Sequence, residues 1–100
     1  MAALIMVRPD RDWQSSGGLF DWTLEYLIPR LSDEKTAEWL RTIVEENLGM
    51  LWIPDLPDEA REEIYDLLRG GVVSAAAHEL PPHAVDQLRE LVALTYTEMG

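Results

Sequence analysis

The chain has no cysteine, which excludes disulfide staples, thiolate metal sites and a cysteine nucleophile. Bases are also scarce: eight lysines and arginines against 19 acids give a formal charge of −11. A field of that sign repels phosphate backbones and anionic membranes, and draws basic proteins or cations toward the surface. Direct nucleic-acid binding and membrane association are therefore not expected. The apolar segment Ala2 to Val7 is too short to span a bilayer and has no basic residue before it, as a secretory leader requires. The expectation is a soluble cytoplasmic chain.

Catalytic and metal-binding signatures are equally sparse. The two histidines, His78 and His83, flank Pro81-Pro82 at a spacing that matches no zinc motif, and no Glu-x-x-His pair occurs. Ser74 precedes His78 without a Gly-x-Ser-x-Gly elbow around it. Gly17-Gly18 and Gly70-Gly71 lack the further glycines and the lysine of a phosphate-cradling loop. No cofactor, no metal and no catalytic residue is expected, and the chain reads as non-enzymatic.

What is present suits a folded domain. Hydrophobic residues make up 47% and charged residues 27%, far from the composition of a disordered chain. One hundred residues make a single domain. Residues 1–18 read as an N-terminal arm: Leu4 to Val7 has strand character but no evident partner, and Trp13 could hold the arm in place. Residues 19–100 read as one helical domain.

The first helix is expected from Leu19 to Ile28, starting near Ser16 or Gly17-Gly18 and ended by Pro29. Ser32 is expected to cap a second helix that closes at a left-handed Gly49. On its wheel Trp39, Ile43, Thr36, Leu40, Val44 and Ala37 share the apolar half, so Trp39 is expected in the core. A third helix runs from Pro57 or Asp58 to Arg69, capped by Asp55 or Asp58 and stopped by Gly70-Gly71. Val72 to Leu80 forms a short fourth, and Pro82 opens the last. In that helix Ala84, Val85, Leu88, Leu91, Val92, Thr95, Tyr96 and Met99 share an arc, while Asp86, Glu90, Leu94 and Thr97 face away. The implied fold is all-α: a small irregular or orthogonal bundle of four to five short helices with an extended N-terminal arm.

Candidate functional residues follow from two patterns. Residues 55–66 hold six carboxylates and one arginine, and Glu59, Glu62, Glu63 and Asp66 share an arc of about 100° on one helix face. Their mutual repulsion would be relieved by a basic partner. The four tryptophans supply the second pattern, since Trp and Tyr concentrate at interface hot spots. Trp22 and Tyr26 lie one turn apart, and Trp52-Ile53 sit in an apolar connection. The expected interface has Trp22, Tyr26, Trp52 and Ile53 at its centre and the acidic face as its rim. This points to a non-catalytic protein-binding module acting on a basic or mixed surface: an inhibitor, an immunity or antitoxin-like factor, or an accessory subunit. A homodimer packed through Trp22/Tyr26 or Leu94, or an apolar-ligand-binding helical domain, is the competing reading.

Overall fold

The computed structural model describes residues 2–96, and residues 2–16 form a hairpin rather than an arm. In β1 (Ala2–Arg8) every second residue, Ala3, Ile5 and Val7, is buried, the period-two pattern of a strand with one covered face. The chain turns at Pro9-Asp10 and returns antiparallel as β2 (Arg11–Ser16), where Trp13 and Ser15 face inward. A bulge between Met6 and Arg8 leaves Val7 outside the ladder. Tyr65 satisfies its carbonyl instead, with the phenol hydroxyl donating at 2.6 Å. The third strand, β3 (Met50–Trp52), pairs in parallel with the other edge of β1, giving the order β2-β1-β3. The protein is therefore mixed α/β rather than an all-α bundle, and the expected extended N-terminal arm is two strands of its sheet. Leu4 to Val7 does have a partner, contributed by three residues some 45 positions away in sequence.

The helices cover one face of this sheet. Helix α1 (Gly17–Leu27) begins at Ser16, whose hydroxyl accepts from Leu19 N–H, and Pro29 falls in the short 3-10 turn that follows. Helix α2 (Glu34–Glu45) is capped by Asp33, not Ser32. The Asp33 carboxylate takes the Thr36 hydroxyl at 2.6 Å and the Thr36 N–H at 3.2 Å. Its pKa is lowered, chiefly by the Thr36 hydroxyl. Ser32 is free for another task, because its N–H and hydroxyl both donate to Glu63. Past α2, Asn47 takes the left-handed position just after the helix and Gly49 a second one, φ 55° and 71°, which swings the chain into β3. Trp39 is 45% exposed, against expectation. The buried arc centres on Leu40, with Thr36, Ile43 and Ala37, and Trp39 sits at its margin.

Gly70-Gly71 does not stop the third helix. Helix α3 (Asp58–Leu67) passes through a π-helical turn, Leu68–Val72, directly into α4 (Val73–Glu79). Leu68 and Val72, both fully buried, anchor the turn on either side of the glycines, so packing overrides their weak helix propensity. Neither Asp55 nor Asp58 caps α3; Asp58 pairs with Arg61. Helix α5 (Pro82–Thr95) opens on Pro82 as expected, while Thr97 and Met99 lie outside the described residues. Its buried residues Ala84, Val85, Leu88 and Leu91 complete a core shared with Ile5, Phe20, Leu24, Leu51, Ile64 and Leu68.

Two polar ties lock this core to the sheet. Trp13 is buried and donates its indole N–H to the Gln87 carbonyl at 2.8 Å, fixing β2 to α5. At the end of α5, Arg8 and Arg69 both donate to the Thr95 carbonyl, placing two cations at a helix C-terminus where the dipole favours them. Both guanidinium groups also lie over the Tyr65 ring. Tyr65 thus touches the bulge, both arginines and the core. Tyr65→Phe should cost about 1–2 kcal/mol by leaving the buried Val7 carbonyl unpaired. Urea unfolding checks this, through a lower midpoint with an unchanged slope.

Candidate functional site

Trp22 and Tyr26, half-buried against the core, form a stacked pair on α1 with ring centroids 5.9 Å apart and planes 17° from parallel. The α4 side of this pair is built by sequence the helix reading had treated as a stop. An ideal Cβ at Gly71 would lie 2.8 Å from the Tyr26 hydroxyl, so the glycine makes room for the phenol. Trp22 donates its indole N–H to Glu79 at 3.0 Å across the gap. Arg30 lies 4.0 Å over the Tyr26 ring and donates to the Tyr26 carbonyl at 2.7 Å. Trp22, Glu25, Tyr26, Arg30, Ala75 and Glu79 line an open groove of about 280 Å³. Its lining combines two aromatic rings, two carboxylates and one guanidinium, and the Tyr26 ring is already stacked by Trp22 and approached by Arg30.

A second depression adjoins it. Ser32, Asp58, Glu59, Glu62, Glu63 and Asp66 form its wall, with no base among them. Arg30 lines the first hollow and Ser32 the second, two positions apart in the chain, and no residue lines both. The acidic residues are not equivalent. Glu63 receives both Ser32 donors and helps fix the segment before α2, which makes it partly structural. Glu59, Glu62 and Asp66 are exposed.

The remaining two expected interface residues belong elsewhere. Ile53 is 0% exposed, a core residue with no surface to offer. Trp52 is 43% exposed but projects from β3 on the outer side of the sheet, in register with Met6. Only half of the expected apolar centre, Trp22 and Tyr26, therefore lies beside the acidic face. Glu25, Arg30 and Glu79 were missed. The closeness of Glu25 and Arg30 to Tyr26 was visible in the sequence, but the approach of α4 was not.

His78 and Ser74 do lie one turn apart, yet the imidazole Nδ1 contacts the Ser74 backbone carbonyl rather than its hydroxyl, at 2.9 Å. Among the described residues no group of three histidines, cysteines or acids is placed to hold a metal ion. No described helix is long and apolar enough to cross a membrane. Comparison with protein-family models, curated proteins and solved structures gives no match.

Gly71→Ala tests the construction of the groove. The added methyl should displace the Tyr26 ring from Trp22 and Arg30 while the helix itself gains up to ~1 kcal/mol in propensity. Near-ultraviolet circular dichroism should change and the far-ultraviolet spectrum should not. An unaltered aromatic signal would mean that Tyr26 does not depend on the glycine.

Proposed function

We propose that the chain is a non-catalytic protein-binding module for a partner with a basic surface, acting as an inhibitor, an immunity or antitoxin-like factor, or an accessory subunit. The observation that carries this reading is an aromatic groove at Trp22/Tyr26 and an acidic hollow along α3 that are lined by Arg30 and Ser32, residues only two positions apart. An incoming lysine or arginine lays its aliphatic stem on the aromatic pair and its charge near Glu25 and Glu79. Further bases meet Glu59, Glu62 and Asp66. The stack supplies desolvated contact area, and the exposed carboxylates supply steering and register. Arg30 already stacks on Tyr26 as such a guest side chain would.

The charge acts before contact. A surface with formal charge −11 accelerates encounter with a cationic partner, and salt weakens that attraction over a Debye length of about 8 Å at physiological ionic strength. The aromatic contribution is less sensitive to salt, so the two parts separate experimentally.

Immobilised protein should retain a basic partner from its source extract at ~50 mM salt and release it near ~500 mM. With that partner purified, Glu59→Lys, Glu62→Lys and Asp66→Lys together should lower affinity at least ~10-fold and flatten its salt dependence. Glu63 is left intact because Ser32 depends on it. Trp22→Ala should weaken binding at every salt concentration. A complex indifferent to salt and to the triple charge reversal would contradict the reading.

A further inference from the structure

The outward face of the sheet is a surface of a different kind. Register assigns its residues: Leu4 stands beside Met50 and Gln14, and Met6 beside Trp52 and Asp12, with the buried Ile5, Leu51 and Trp13 pointing the opposite way into the helices. Ala2 and Ser16 complete the face. No described element covers it. Met50 and Trp52 are 44% and 43% exposed, and the Trp52 indole N–H is directed onto the Met50 sulfur, so the two exposed side chains hold each other in place. Leu48, also exposed, lies in the turn that enters β3.

The distribution of charge selects the occupant. Among these eight outward positions only Asp12 is charged, in a chain whose charged fraction is 27% and whose net charge is −11. Two copies of such a protein repel each other through most of their surfaces, and this face is where that repulsion is least. A basic partner gains nothing here from complementarity. We propose that the outward sheet face is a self-association surface, on which a second copy packs sheet to sheet through Leu4, Met6, Met50 and Trp52. The contact is isologous, each copy offering the same residues across a two-fold axis, with sheets about 10 Å apart.

Its size sets its strength. Only Met50 and Trp52 are large apolar side chains well exposed on the face, with Leu4 and Met6 half-buried, a small patch beside the roughly 1,000 Å² in total that a specific interface needs. The dimer is therefore weak and concentration-dependent. It is also strengthened by salt, because screening relieves repulsion between like-charged copies while the apolar contact persists. That sign is opposite to the salt response of binding to a basic partner.

Sedimentation velocity of the full chain between ~10 and ~500 µM, at ~0.05 and ~0.5 M sodium chloride, reads this directly. The expected result is a dimer whose fraction rises with concentration and rises several-fold with salt. Met50→Thr with Trp52→Thr should remain monomeric under all these conditions with an unchanged far-ultraviolet spectrum. In the unaltered chain, the Trp52 indole and the Met6 and Met50 methyl resonances should shift with concentration, while those of Trp22 and Trp39 stay fixed. A monomer at the highest concentration and salt would overturn the proposal. So would a dimer that shifts Trp22 rather than Trp52, which would place self-association on the helical groove.

Discussion

Strand β1 has neighbours on both edges and the helical core on one face, with α1 and α5 packed against it and Tyr65 of α3 bonded to it. Ile5 and Val7 insert into the core, and each fully buried aliphatic side chain contributes about 1.5–3 kcal/mol of hydrophobic stabilisation. The bulge at Val7 leaves a carbonyl for Tyr65, and the strand ends in Arg8, which reaches Thr95 at the far end of α5. Through these contacts a seven-residue segment fixes β2, β3, α3 and α5. Without it, β3 has three residues and no ladder.

The same strand divides the surface into two chemistries. Toward the helices it buries its apolar residues, and the helices turn their charge outward, concentrating carboxylates on α3. Toward solvent it presents Leu4 and Met6 beside Met50 and Trp52, with almost no charge. The −11 charge is thus unevenly placed: carboxylates crowd α3, while Asp12 is the one charged residue among the eight outward sheet positions. In the two proposals above, long-range attraction governs binding at the acidic face and short-range apolar contact governs association at the sheet face. Salt consequently acts on them in opposite directions.

Helical segments were legible in the chain because their apolar residues recur with the helical period and their starts carry recognisable caps, as at Ser16 and Pro82. The sheet was not. Arg11–Ser16 is mostly polar because only Trp13 and Ser15 turn inward, and β3 is too short for any period to register. Parallel pairing across some 45 residues leaves no local signal. Trp39 was misjudged because its wheel position lies at the edge of the apolar arc, where a small rotation of the helix decides burial. Gly70-Gly71 looked like a stop since glycine weakens helices; the approach of Tyr26, which makes the absent Cβ necessary, comes from a different helix. Of the candidate interface, Trp22, Tyr26 and the acidic face share a region of surface. Trp52 and Ile53 separated because Trp52 ends β3 facing outward while Ile53 opens the 3-10 turn that follows and enters the core, and the chain alone did not reveal that strand.

The most direct test of this account is the thermal unfolding of a fragment comprising residues 19–100, followed by circular dichroism beside the full chain. The dependence of the helical layer on β1 predicts that the fragment loses much of its helicity and shows no cooperative transition. A fragment that unfolds cooperatively with the helicity of the parent would contradict it, and would make the helices an independent domain to which the hairpin is merely attached.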